Sequence, residues 1–484
     1  MIPRRDFLRA IGATGAGLAA GSPFPAAAAG DEAGAAPLVP AEPRPSSPRA
    51  IATVRVAFLY PPTESLRKAG YYSWPGCGFD AEGQHRDGAR AIERIASGLG
   101  IRAAFEGEAL SGAEAVGRFI ARAKEESPDG LLLIPFKKSE WPSVARIIDE
   151  TKLPSVVYAI LGVVLQDQIR ELHRRPGVHL VSSLENLDAV AMGLRMIGAL
   201  RRMREAAILS IAGQEEGESA APPFGTRVRR IPRARFAEAY ARAASSAEAR
   251  DIAHAYRTGA RRIVEPTQED ILDAARAEIA LRELIRAEKV DALMMDCLGG
   301  IQARLFPPPC MGYMRLRDEG IPMGCQDDLS ATLSLMLLQY LFDRPGFQLN
   351  AASDTARNRF FGAHCTCPTR LRGPGADPAP YILRNHAEAG VGTVPQVLWP
   401  KGEPIAMAQV LPREKDPEIL VYGGRVVACH DTPPAGGCRT NVEVSIDGIA
   451  DAADVRGMHQ AMICGDLAAA LRGFCQLAGI RAAS

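Results

Sequence analysis

The chain has 484 residues, with 57 basic and 56 acidic side chains, a formal net charge of +1 and ten cysteines. That balance excludes the basic surface that nucleic-acid binding needs and makes a near-neutral solute the natural partner. The length suits two or three domains, each large enough for its own core, and beyond the N-terminal region no apolar run is long enough for a membrane-spanning helix.

The chain opens with Arg4-Arg5-Asp6-Phe7-Leu8-Arg9, then a weakly apolar, glycine-rich run from Ala10 to Gly21 and the small-residue stretch Ala26 to Ala29. This is the layout of a removable export signal over 1–29, and the paired arginines mark the twin-arginine type. The expectation is a periplasmic or secreted protein with no membrane attachment after signal removal. Residues 30–50 are rich in proline and alanine and read as a flexible linker. Cargo of this export route folds in a reducing compartment, so the cysteines are expected to be mostly buried thiols, with at most one or two bridges formed later.

From Val54 the pattern alternates strand and helix. Strands are expected at Val54 to Tyr60, Gly130 to Phe136 and Ser155 to Ile160, with helices at Arg86 to Leu99 and Trp141 to Thr151. A long helix over Leu187 to Arg204 leads to a strand at Ala206 to Ile211, where the alternation restarts. Helices follow at Ala234 to Ser246 and Gln268 to Ala287, then a strand at Ala292 to Asp296 and a strongly apolar helix at Leu329 to Phe342. Beyond Asp343-Arg344-Pro345-Gly346 the segments become short and strand-like, at Ile382 to Arg384, Ile405 to Val410, Ile419 to Val427 and Asn441 to Ile446. A helix from Asp466 to Leu477 closes the chain. The expected fold is α/β: two doubly wound parallel-sheet domains, 51–205 and 206–345, followed by a β-rich C-terminal domain, 346–484. No P-loop occurs, and no G-x-G-x-x-G lies between a strand and a helix, so nucleotide binding has no support.

The chemistry-bearing stretch runs from Pro307 to Arg372. It holds Cys325-Gln326-Asp327-Asp328 ahead of the apolar helix, Phe347-Gln348-Leu349-Asn350 after it, then Asp354-Thr355 and Ala363-His364-Cys365; His459 precedes Cys464-Gly465-Asp466. In order and spacing, these pieces resemble the L-fucose/L-arabinose isomerase family over roughly Val54 to Ile480. The resemblance implies aldose–ketose isomerisation of a sugar, manganese or another divalent metal held by Glu, Asp and His, and a homo-oligomer. Carried over by motif, the metal Glu falls on Gln326, the metal Asp on Asn350 and the His on His459. Both acids are therefore amides, which bring no charge to a cation and accept no proton at neutral pH.

Two functions stay open. One is a sugar-active enzyme whose metal, if it holds one, has altered ligation through Asp327, Asp328, Asp354, His364 and His459. The other is a non-catalytic carbohydrate-binding relative. Asp328 also reads as a cap and dipole partner for the helix after it, and Asp354 as a turn residue. His364 is either a site residue or a hydrogen-bonded core histidine. Trp74, in the loop after the first strand, is placed to stack on a sugar face or to anchor that loop. Arg384 and Arg439 suit a polar ligand or pairing with nearby acids. A zinc site from His364, Cys365, Cys367, Cys429 and Cys438 is the remaining alternative, weakened by the Cys-x-Cys spacing on a presumed strand.

Overall fold

The computed structural model describes residues 51–68, 78–184, 186–432 and 437–484; the expected signal and linker and Trp74 lie outside them. Strand β1 (Thr53–Leu59) shows why the first sheet forms. Val54, Val56 and Phe58 enter one apolar cluster while Ala57 and Leu59 enter another. A strand with both faces buried reads as a continuous apolar run, as in β3 (Gly130–Pro135), where Leu132 and Ile134 face one cluster and Leu131 and Leu133 the other. With β2 (Arg102–Phe105), β4 (Ser155–Ile160) and β5 (Val178–Ser183) these form an all-parallel sheet of order β2-β1-β3-β4-β5.

The second sheet has the order β11-β10-β6-β8-β7. Its strands β6 (Ala207–Ile211), β8 (Thr226–Ile231), β10 (Ala292–Met295) and β11 (Met323–Cys325) are parallel, and β7 (Gly217–Ala221) is an antiparallel edge. The third sheet is antiparallel through β16 (Pro404–Leu411), β19 (His459–Cys464), β12 (Phe347–Asp354), β13 (Arg359–His364), β18 (Thr440–Ile446) and β17 (Glu418–Ala428). Pairing of β16 with β17 closes it into a barrel, and β20 (Arg481–Ala483) adds in parallel to β17. A small sheet joins β15 (Val394–Val397), β14 (Tyr381–Arg384) and β9 (Arg262–Ile263), so a strand of the middle range pairs with one of the last. The fold is thus α/β with two parallel sheets and a β-rich C-terminal part.

Alternation also explains the barrel wall. On β16, Ile405 and Met407 pack in the cluster that fills the barrel, whereas Ala406, Ala408 and Val410 face outward into the cluster of the helices. Those small outward residues let the helix Leu329–Phe342 lie on β16 and β19. That helix also packs on the helix Val190–Glu205, and every residue from Ala331 to Leu341 is buried. This accounts for its all-round apolar sequence. The last helix, Ala468–Ala478, likewise reaches across to Val190–Glu205 and to β5.

The expected helix Ala234 to Ser246 ends early, and a second helix that was not expected follows it. Arg233–Arg242 ends at Ala243, and Ala247–Gly259 starts afresh, because the Ser246 hydroxyl caps it by accepting from the Ala249 N–H at 3.1 Å. The first-sheet helix starts earlier than expected, at Ala81, where Asp80 accepts from the Gly83 N–H at 2.9 Å. Among the described residues no helix is long and apolar enough to cross a membrane.

Leu337 has no exposed surface in the helix that joins barrel and sheet. Leu337→Ala is expected to lower the unfolding free energy by about 2–5 kcal/mol, read by urea denaturation.

Candidate functional site

The chain leaves β11 through two consecutive left-handed residues, Gln326 (φ 61°) and Asp327 (φ 50°), before Asp328 caps the helix Leu329–Phe342. Two adjacent non-glycine residues in that region store strain, which persists only where surrounding contacts hold it. Those contacts are visible. The Asp327 N–H donates to the Met295 carbonyl at 2.9 Å, and the Asp327 carboxylate accepts from the Ser210 hydroxyl at 2.8 Å. The buried Gln348 side chain accepts from the Cys325 N–H at 2.9 Å and donates to the Cys325 carbonyl at 3.3 Å.

Asp328 uses its two oxygens separately. Oδ1 accepts from the Ala331 N–H at 2.8 Å as the helix cap, and Oδ2 accepts from His459 Nδ1 at 2.7 Å. The other ring nitrogen, Nε2, lies 2.6 Å from Asn350 Oδ1. His459 and Asn350 are direct partners across β19 and β12, which places both side chains on the same outer face of the barrel. Asn350 also hydrogen-bonds the Cys438 sulfur, which in turn accepts from the Cys365 thiol. That bond from Cys365 leads the causes holding Cys438 below the usual thiol range, while the same bond and burial push Cys365 up.

His364 completes the group. Its ring centroid is 5.9 Å from that of His459, edge to face, and the residue is 4% exposed. Among the described residues neither of its ring nitrogens has a hydrogen-bond partner. Burial lowers its pKa to about 3, with the Arg317 guanidinium adding to the effect, so the imidazole is neutral. Arg317 is itself buried and donates to the carbonyls of Met323 and Thr366.

The structure therefore gathers Gln326, Asp327, Asp328, Asn350, His364 and His459 around the end of β11 and the adjoining barrel strands. It leaves others out. Asp354 lies four residues beyond Asn350 on β12, bound to Arg357, whose hydrogen bonds hold its carboxyl below the usual range. At a rise of about 3.3 Å per residue it is far from His459, so it is a turn residue and not a metal ligand. Arg384 is a structural ion pair: it donates to Glu265 at 2.6 Å and to Gln396 at 3.0 Å. Arg439 donates to the Asn385 carbonyl at 2.9 Å and to the Asn385 side chain, which occupies its guanidinium within the protein.

The zinc alternative also comes apart. Cys365 and Cys367 lie beyond the end of β13 rather than on it. Cys367 accepts from the Trp399 indole N–H at 3.4 Å and Cys429 from the Trp399 backbone N–H at 3.3 Å, whereas Cys365 and Cys438 pack with Cys310. The thiols form two clusters, not one tetrahedron. Ser210, on β6, is the contributor that sequence reasoning missed, with no local pattern to mark it, and Cys438 was weighed only as a zinc ligand and not as a neighbour of Asn350.

The donor set does not fit manganese. Gln326 and Asn350 bring neutral oxygens, and both nitrogens of His459 are already engaged. Among the described residues no group of three or more His, Cys, Asp or Glu is arranged to hold a metal ion. A hard dication takes several charged oxygen ligands, and those of Asp327 and Asp328 are already engaged by Ser210, the Ala331 N–H and His459.

No protein-family model and no curated protein matches the chain. Solved structures similar to it include the XylFII-LytSN complex, at 12% identity over 56% of this chain and 93% of that one, with a TM-score of 0.16. Another is the XylFII molecule, at 11% identity over 60% of this chain and 94% of that one, also with a TM-score of 0.16. Likeness at this level carries no argument about fold or ligand.

Two outcomes follow from the geometry. Asp328→Ala removes a helix cap and leaves the buried Nδ1 of His459 without a partner, so it is expected to cost about 2–4 kcal/mol, and Asp328→Asn less, in urea unfolding. Below pH 6.5 the unfolded chain protonates His364 while the folded chain, with its pKa near 3, does not. Stability is therefore lost as pH falls through that window, by roughly 1.4 kcal/mol per pH unit from this residue, and His364→Gln is expected to remove that share of the slope.

Proposed function

We propose that the chain binds a neutral, polyhydroxylated ligand of the sugar type where β11 meets β12, β13 and β19, as an exported relative of aldose–ketose isomerases without their metal chemistry. The observation that carries this reading is His364: a buried, neutral imidazole with neither ring nitrogen partnered, set against His459. Leaving such groups unpaired costs about 1–3 kcal/mol each; both nitrogens are shielded from solvent, so a ligand would offset this only by opening the site, one hydroxyl accepting from the ring N–H and a second donating to the bare nitrogen. The half-buried amides Gln326 and Asn350 add donors and acceptors without charge, which suits uncharged hydroxyls better than ionic groups. The sugar class rests on the resemblance in the motif order, and export rests on Arg4-Arg5 and the run that follows.

One observation favours a second reading, an isomerase with altered metal ligation. Asp296, Asp327 and Asp328 lie close enough to influence one another, and burial followed by those neighbours pushes the Asp327 carboxyl up. A cation bound beside them would reverse that shift.

Calorimetry of the purified chain against pentoses, hexoses, deoxyhexoses and their polyols, with and without manganese, separates the two. Metal-independent binding that His364→Ala weakens at least about tenfold, or ~1.4 kcal/mol, is expected. Metal-dependent aldose–ketose conversion would sink the proposal in favour of the second reading, and silence across the panel would sink the sugar assignment. Gln326→Glu with Asn350→Asp is expected to create manganese affinity absent from the parent, read by elemental analysis and calorimetry.

A further inference from the structure

Beside the ligand group lies a pair of thiols that the proposed binding does not use. Cys365 follows the last residue of β13 and Cys438 lies two residues before the first of β18; these strands are antiparallel neighbours whose last pair is His364 with Thr440. The ladder stops there, and Cys365 and Cys438 lie in the two segments that leave its end, one and two residues beyond it. The side chains meet: the Cys365 thiol donates to the Cys438 sulfur, and both pack with Cys310 and Val394.

We infer that Cys365 and Cys438 form a reversible disulfide whose redox state is read by the Asn350–His459 hydrogen bonds. The two thiols differ in access. Cys365 is 5% exposed, whereas Cys438 is half-buried beside Arg439, so Cys438 is the attacking sulfur and Cys365 the resolving one. With a small-molecule disulfide such as oxidised glutathione as oxidant, the Cys438 thiolate attacks one sulfur, forming a mixed disulfide and releasing one glutathione thiolate. The Cys365 thiolate, its proton passed to solvent, then attacks the Cys438 sulfur and expels the second. The protein loses two protons and two electrons, and the oxidant is reduced to two thiols. Bridging converts the Cys438 sulfur that the Asn350 amide bonds into a disulfide sulfur, a weaker partner, which changes what that amide presents to His459 at 2.6 Å.

The test equilibrates the reduced full chain with graded ratios of oxidised to reduced glutathione, quenches with iodoacetamide, and maps peptides by mass spectrometry. A Cys365–Cys438 linked peptide is expected, with the other described cysteines still alkylated after unfolding. Cys365→Ser is expected to accumulate glutathione on Cys438, and Cys438→Ser to leave Cys365 a free thiol. Recovery of both as free thiols under oxidising ratios, or a bridge from Cys310 to either one, would overturn the proposal. Should a serine variant fail to fold by circular dichroism, the wild-type linked peptide and the alanine variants decide. In the wild type, imidazole NMR signals of His459 are expected to shift on oxidation and not in Cys438→Ser; unmoved signals with the bridge formed would refute the coupling to the site.

Discussion

The carboxylate of Asp328 holds the molecule's functional end together because it closes two structures at once. One oxygen terminates the helix Leu329–Phe342, the buried element that contacts the second parallel sheet, the barrel wall and the helix Val190–Glu205. The other receives the imidazole of His459 from the barrel strand β19. A cap is ordinarily local, worth about 1 kcal/mol to its own helix. Here the same residue ties the helix to the barrel, and with Gln348, which bonds Cys325 from β12, it sets how β11 meets β12 and β19. The strained turn at Gln326 and Asp327 is the backbone's way of reaching that position, held by Ser210 and by the Met295 carbonyl.

Most of the strand and helix content was legible in the sequence, for a physical reason: strands buried on two faces, such as Leu131 to Ile134 and Ile405 to Val410, stay apolar along their length. The helix Leu329–Phe342 was legible for the same reason. The break at Ala243 was not, because a serine cap after a run of alanines leaves the helical period intact. Asp328 and His459 were singled out through the motif order; the capping reading of Asp328 is seen on Oδ1, and its Oδ2 meets His459. Asp354 and Arg384 misled because an acid after a serine and an arginine on a short strand look alike whether they face a ligand or Arg357 and Glu265. Cys438 was invisible as a neighbour of Asn350, since they meet only through the successive pairing of β12 with β13 and of β13 with β18.

The two amides make sense as an electrostatic adjustment. Each remaining acid at the carboxyl end of the second sheet has its own compensation. Asp296 is paired with Arg233 and accepts from the Gly299 N–H, Asp327 has Ser210 with Arg230 nearby, and Asp328 has a helix N-terminus and His459. Two further carboxylates at positions 326 and 350 would add charge that none of these groups answers, in a place where Asp327 is already pushed toward its neutral form. A bound dication would balance such a surplus, and a site built on a dication carries it for that purpose. With Gln326 and Asn350 the charges close among the protein's own groups. Burial, with Arg317 adding to it, keeps His364 neutral. On the proposed reading, charges answered in this way ask for no metal, and the two imidazole nitrogens of His364 that lack a partner among the described residues are the groups that ligand hydroxyls would meet.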